Sequence, residues 1–255
     1  MAISVEQAID LILKYTPVLG EERVPLLEAL GRVLSRDVNS EICQPPFDRS
    51  PLDGYAVIAE DLKDASPAHS VRLQVVDKIY AGETAHVSVQ RGQAVRLMTG
   101  SMIPQGADCV IRQEDTDGGE ESVHIFKCVK ANSNYCHQGE EYGLGDRLFT
   151  AGSLVDAACV AVAAGAGMTH LYVHKKMRAA IVSTGDEVRQ PGEQLLPGKI
   201  YDSNTSYLAA RLHQLDVRIT AMRSAGDDLE QIVSIHNACE RQANLILTSL
   251  WGKRI

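Results

Sequence analysis

Between residues 178 and 248 short apolar runs alternate with amphipathic ones, and this alternation constrains the fold more than any other feature of the chain. Strand patterns at 178–183, 217–222 and 244–248 are separated by helical patterns at 206–214 and 229–242. Strands joined through helices run in one direction, so the repetition predicts a parallel sheet. Doubly wound sheets commonly have about five or six strands. With three, this α/β sheet reads as cut near its middle. Its first strand stops at Ser183-Thr-Gly-Asp-Glu187. Parallel sheets bind ligands beyond the carboxyl ends of their strands, which makes this cluster a candidate site. A turn closed by Gly185 with solvated acids is the alternative.

The amino-terminal part has a different rhythm. Ser4-x-x-Gln7 has the form of a capping box, and Val5, Ala8, Ile9 and Ile12 recur at helical spacing, so an amphipathic helix is predicted to about Lys14. A second helical pattern covers 24–34. Residues 38–46 read as extended and lead into a turn-rich stretch, 45–54, where adjacent prolines exclude helix. From 55 to about 129 the apolar period is two, with Val71, Leu73 and Val75 alternating and short strands expected at 94–98, 109–112 and 123–129. That segment predicts a compact β domain. An Ala-rich helix at 153–164, stopped by Gly165 and Gly167, and a strand at 171–174 lead back to the α/β part.

Composition narrows the function. The chain has 255 residues, with 33 acidic against 25 basic and a net charge of −8. This balance argues against nucleic acid and anionic membrane as partners while leaving room for a local anion site. Six scattered cysteines, with no C-x-x-C pair, read as free thiols in a reducing compartment. No apolar run approaches the roughly 20 residues of a membrane span, and no basic-then-apolar leader pattern is visible. A cytoplasmic protein is expected. No phosphate-loop motif occurs, and His170 and His174, which would share a strand face, lack a third ligand and read as structural.

Four stretches concentrate chemistry-bearing residues. Pro46-Phe-Asp-Arg-Ser-Pro-Leu-Asp-Gly-Tyr-Ala-Val57 is either a rigid connector or a site. Met98-Thr-Gly, followed by Pro104-x-Gly106-Ala-Asp, ends a strand in a hydroxyl and a glycine, and a hairpin loop explains it equally. Gly139-Glu-Glu141 offers two carboxylates that hold Mg²⁺ through water or are simply solvated. Asp202, Asn204 and Asp227-Asp228 lie at element ends, where Asp202 or Asn204 caps the following helix, a role compatible with ligand binding.

The first three of these stretches and Ser183-Thr-Gly-Asp-Glu187 followed by Tyr201-Asp-Ser-Asn204 occur in one order, and together these four motifs resemble the MoeA-type molybdopterin molybdenumtransferases, related to the E domain of gephyrin. The resemblance covers essentially residues 1–249. It implies an elongated, multi-subdomain homodimer combining α/β and β parts. Residues 1–45 and 140–176 would form a linker subdomain, with the first helix free to pack on the α/β part. Residues 46–139 would form an inserted β-rich subdomain, and 177–255 a molybdopterin-binding α/β subdomain.

The family uses adenylylated molybdopterin and molybdate, releases the nucleotide as AMP in a Mg²⁺-dependent step, and places molybdenum on the dithiolene sulfurs. The resemblance places Asp53, Thr99, Glu141 and Glu187 as catalytic positions. Because the substrates are anionic, an acidic site needs bridging Mg²⁺ or local cationic donors, and Asp53, Glu141 and Glu187 would position that metal or orient a water. Ser183, Thr184, Gly185, Asp186, Asp202, Asn204 and Asp228 are the substrate-binding positions. A molybdopterin adenylyltransferase-like protein is the implied partner. Glu141 stands where a family member has aspartate. After Ser249 the family continues Ser-Gly-Gly-x-Ser-x-Gly, whereas this chain reads Leu-Trp-Gly-Lys-Arg-Ile255. The reading is therefore a carboxyl-terminally truncated member without the final β-barrel. A non-catalytic scaffold, or an inactive fragment of the same family, is the alternative.

Overall fold

The structure, a computed structural model, describes residues 3–250, so of the departure expected from Leu250 onward, 251–255 lie outside the described residues. Helix α1 (Val5–Tyr15) opens the chain. Its capping box is formed: the Ser4 hydroxyl accepts from the Gln7 amide at 3.2 Å, and the Gln7 side chain accepts from the Ser4 amide at 3.0 Å. None of its residues is buried.

The helix expected at 24–34 does not form. Strand β1 (Glu21–Pro25) occupies its start, followed by a short 3₁₀ turn at Leu26–Ala29. Pro25 has no N–H to give a helix. The extended stretch instead pairs antiparallel with residues 170–174, Glu21 opposite His174 and Pro25 opposite His170.

Two compact units make up the chain. One comprises Asp37–Phe149 and Val162–Met168; the other comprises Met1–Arg36, Thr150–Ala161 and Thr169–Ile255. The first holds a five-stranded mixed sheet of β2 (Gly54–Val57), β3 (Val71–Ile79), β4 (Gln93–Leu97), β5 (Cys109–Arg112) and β6 (Ser122–Ile125), in the order β5-β2-β4-β3-β6. Every residue of β2 is buried. Tyr55 and Val57 join Leu73, Ile111 and Val123 in one apolar cluster, while Ala56 packs with Ile79, Val95 and Leu97 in another. The period-two pattern thus describes a sheet with an apolar cluster on each face.

Helix α2 (Ala157–Gly165) starts four residues later than expected. Residues 153–155 are engaged with 32–34 instead, through Leu34 N to Ser153 O at 2.9 Å and Val155 N to Arg32 O at 2.8 Å. Asp156 then accepts from Cys159 N at 2.8 Å, a side-chain cap that fits the later start. Strand β7 (His170–His174) follows as β1's partner. His174 Nδ1 meets Leu19 O at 3.0 Å and His170 Nδ1 meets Thr169 Oγ1 at 3.0 Å, so both imidazoles have structural partners.

The last third forms the parallel layer: β8 (Arg178–Thr184), α3 (Ser203–Gln214), β9 (Arg218–Ala225), α4 (Leu229–Glu240) and β10 (Leu245–Leu250). The strands run parallel in the order β9-β8-β10. Ala179 and Ile181 pack against Leu208 and Leu212 of α3, and Ala180 and Val182 against Ile235 and Cys239 of α4. Alternate residues of β8 meet different helices, the doubly wound arrangement that the sequence pattern predicts. The Gly185 loop closes as Val188–Arg189 pairs with Ile200–Tyr201. All six cysteines are free thiols.

Candidate functional site

In the β-sheet unit the proline-rich segment is clamped between two other loops. Gly100 N donates to Ser50 O at 2.8 Å, Ser50 N to Ser101 O at 3.0 Å and Ile103 N to Asp48 O at 2.9 Å. On its other side Arg49 and Cys136 exchange backbone bonds of 2.9 and 3.1 Å, and Glu141 N donates to Gln44 O at 2.9 Å. Three sequence stretches far apart in the chain, carrying Asp53, Thr99 and Glu141, thereby belong to one loop assembly.

Asp53 Oδ1 accepts from the Thr99 hydroxyl and from the Thr99 amide, each at 2.7 Å. The hydroxyl bond and then the amide bond hold the Asp53 carboxyl below the ordinary carboxylate range, against a smaller opposing effect of burial and with help from the nearby Arg96 charge. Both residues are exposed, and Asp53 Oδ2 has no partner among the described residues. The pair is a fixed, ionised acceptor open to solvent.

Glu141 is exposed and ion-paired with Arg49 at 3.1 Å. Asp48, next to Arg49, accepts from Tyr135 Oη at 2.7 Å and from Gln138 N at 2.8 Å. Burial pushes the Asp48 carboxyl up, but these two bonds outweigh it and hold the group below its ordinary value. Burial pushes the Tyr135 phenol up, and its bond to Asp48 adds to that. Asp48 and Arg49 stand in the sequence motif without an assigned role, yet they fasten the loops that carry Asp53 and Glu141. Their place between prolines in the densest of the motifs was the signal available.

The α/β unit carries the second group of expected residues at the carboxyl ends of its strands. Ser183 stands in register with Ser224 on β9 and Ser249 on β10. Gly185 has φ +140°, and a Cβ added there would lie 2.8 Å from Glu187 Oε2, so the Glu187 carboxylate folds over the glycine. The exposed Asp186 accepts from Asp227 N at 3.1 Å. Asp202 Oδ1 caps α3 through Thr205 N at 2.9 Å, and Asp228 Oδ1 caps α4 through Glu230 N at 2.9 Å. Asn204, inside α3, donates to Ser249 Oγ at 2.8 Å.

Direct substrate contact, expected for the whole of this group, does not fit its buried members. Ser183, Thr184 and Asp202 are 0, 2 and 1 % exposed. The Gly185 amide already donates to Ala225 O at 3.1 Å, so it has no free hydrogen for a ligand. Periodicity placed these residues at a strand end without revealing that they are buried there. Burial pushes the Asp202 carboxyl up, but Thr205 and Ser183 lie close enough to hold it below its ordinary value. Even so, Ser183 Oγ, Asp202 Oδ2 and Thr205 Oγ1 meet no well-formed hydrogen-bond partner among the described residues. The solvent-facing members are Asp186 and Asp228, with Glu187 and Asn204 half-buried.

Among the described residues no three His, Cys, Asp or Glu side chains gather as a metal cage. Mg²⁺ usually keeps several waters and takes one or two carboxylates together with substrate phosphates. An open carboxylate oxygen such as Asp53 Oδ2 fits that mode; a three-carboxylate cage does not.

Comparison with known proteins covers both units. Residues 3–167 match the model of the MoeA N-terminal region (domain I and II), and residues 180–249 match that of a probable molybdopterin binding domain. The chain is 38% identical over 226 residues to molybdopterin molybdenumtransferase 2 of Mycobacterium tuberculosis, an alignment covering 89% of this chain and 56% of the relative. To the molybdopterin molybdenumtransferase of Staphylococcus epidermidis it is 32% identical over 247 residues, covering 97% and 59%. The chain thus spans a little over half the length of these curated relatives. A solved molybdopterin biosynthesis MoeA protein from Pyrococcus horikoshii superposes with a TM-score of 0.91 at 29% identity, over 97% of this chain and 66% of that one. Among the described residues no helix is long and apolar enough to cross a membrane.

Proposed function

The chain belongs to the MoeA family, as the match over residues 3–167 shows, and on that premise we propose that it serves molybdenum cofactor biosynthesis as a molybdopterin molybdenumtransferase. Its substrates would be adenylylated molybdopterin and molybdate, with AMP released as molybdenum is placed on the dithiolene sulfurs. The observation that carries this reading is the Asp53–Thr99 pair, a carboxylate fixed by two 2.7 Å bonds with its second oxygen open.

Release of AMP requires a P–O bond to form to water as the anhydride P–O bond breaks. Asp53, kept ionised, orients that water through Oδ2. Thr99 spends its hydroxyl proton on Asp53, which leaves the Thr99 oxygen able to accept a hydrogen bond from the same water. The ion pair with Arg49 holds Glu141 in the loop assembly. Glu187 folds over Gly185 and presents charge at the end of β8. Mg²⁺ carried on the substrate phosphates would neutralise their charge, and Asp53, with its open Oδ2, is a carboxylate suited to meet it.

Replacing Glu187 with Gln keeps the side chain's shape and removes its charge. Mg²⁺-dependent nucleotide release, followed by chromatography of AMP, should be abolished. Release at the wild-type rate would remove Glu187 from the mechanism.

Homodimerisation forms part of the same proposal. Helix α1 is capped yet buries none of its residues, and Val5, Ile9 and Ile12 are 71, 50 and 64 % exposed. Isolated helices of its length are marginal in water, so an apolar stripe of this kind calls for a partner surface, here a second copy. A molybdopterin adenylyltransferase-like protein in the cytoplasm would supply the nucleotide-bearing substrate.

A further inference from the structure

The unit that carries the parallel sheet contains a cavity of about 690 Å³ at the opposite, amino-terminal end of the strands. Arg178 opens β8, Arg218 opens β9 and Asn244 immediately precedes β10, and all three line it. Arg32, Lys175 and Lys176 complete its basic wall, facing Glu22 and Glu28. Five cations against two carboxylates is the reverse of the balance in a chain of net charge −8.

We infer that this cavity is a binding site for a small multivalent anion of the phosphate class, separate from the strand-end acids and independent of the function proposed above.

Donor availability supports this assignment. Arg32 is only 7 % exposed; it is locked by Glu22 and by His174 O, which neutralises Glu22 and leaves the wall rigid. Lys176 is paired with Asp216 at 2.6 Å. The guanidinium groups of Arg178 and Arg218 and the ammonium of Lys175 are exposed and have no ion-pair or hydrogen-bond partner among the described residues. Asn244 Oδ1 accepts from Arg178 N at 3.1 Å, which fixes the amide and turns its NH₂ group to the role of donor. Planar guanidinium groups make paired bonds to phosphate oxygens, and a positive concavity raises the local anion concentration.

Size decides the class of ligand. A concavity of this volume lies in the range of small-molecule sites, whereas an acidic protein partner would meet a broad, shallow patch. Glu28 is the one unneutralised carboxylate in the wall, and it limits affinity for anions.

The test is calorimetric titration of the full chain with inorganic pyrophosphate and, separately, with AMP. Pyrophosphate should bind, weaken as salt is raised, and lose affinity about tenfold for each of the substitutions Arg178→Gln and Arg218→Gln. Glu28→Gln should tighten it. Binding of both probes assigns a phosphate group whatever its carrier, and binding of pyrophosphate alone assigns a free inorganic anion. The inference is overturned if neither probe binds at millimolar concentration. It is equally overturned if the double arginine variant, with an unchanged circular dichroism spectrum, binds pyrophosphate as the wild type does. Because neither arginine lies among the strand-end acids, nucleotide release tested at Glu187 can fail or succeed without bearing on this outcome.

Discussion

Replacing Gly54 with alanine sets a methyl group where a backbone carbonyl already lies. A Cβ built on Gly54 falls 2.0 Å from Ile111 O, 3.0 Å from Ile111 C and 3.2 Å from Arg112 Cα. Real Cβ contacts essentially never fall below 3.0 Å, so β2 and β5 must separate by about 1 Å. Neither strand can yield easily. β2 is wholly buried and bonded on its other side to β4, with Gly54 opposite Leu97. The obstacle is main chain rather than a side-chain tip that can rotate away. Overpacking costs about 1–3 kcal/mol, and a backbone clash in a central strand belongs at the upper end.

A loss of about 3 kcal/mol is a large part of a typical stability of about 5–15 kcal/mol and lowers the folded-to-unfolded ratio roughly a hundredfold. Urea unfolding followed by far-ultraviolet circular dichroism should show an earlier transition. Hydrogen exchange should accelerate in β2 and β5 before it does in β8. Gly20→Ala is the control, since its Cβ meets nothing within 4 Å. Equal midpoints and equal exchange for the two variants would refute the steric account of why glycine follows Asp53.

Two other outcomes follow from the geometry. In Thr99→Val the hydroxyl bond to Asp53 is lost and the amide bond remains, so the Asp53 carboxyl should rise toward its ordinary value in a carbon-13 titration. The sign is that of a depressed carboxylate: stability from this pair is present above the unfolded value near about 3.9 and lost as pH falls through the lower folded value. The gap between wild type and Thr99→Val should therefore close in acid and persist at neutral pH, and a gap that widens in acid contradicts the assignment. On helix α1, Ile9→Glu with Ile12→Glu should shift sedimentation from dimer to monomer without changing helix content, and an unchanged mass would leave the apolar stripe without its proposed partner.

Reading from the sequence succeeded where local chemistry and tertiary pairing agree. The three parallel strands are short apolar runs between amphipathic helices, and Ser4 and Gln7 close their box with no help from distant residues. It failed at 24–34 and at 153–156, where helical spacing was outweighed by pairing between segments more than a hundred residues apart. Pro25 was the visible warning in the first case.

The candidate site divides in the same way. Asp53 and Thr99 meet as the motifs imply. Burial of Ser183 and Asp202, by contrast, carries no periodic signal. Asp48 and Arg49 act through Tyr135, Gln138 and Glu141, partners that only the folded loops bring within reach.

The parallel layer has a built-in electrical direction. Asp186, Glu187, Asp202 and Asp228 crowd the carboxyl ends of its strands, and Arg178 and Arg218 stand at the amino ends. Seven strand residues separate the two ends, roughly 20 Å. The two helix amino termini that would otherwise attract an anion to the acidic end are each filled by the chain's own aspartate. An anion near this layer is therefore drawn to the basic amino ends and repelled from the acidic carboxyl ends. Under the proposed function, a substrate anion settling among the acids would need its charge covered by a cation that travels with it.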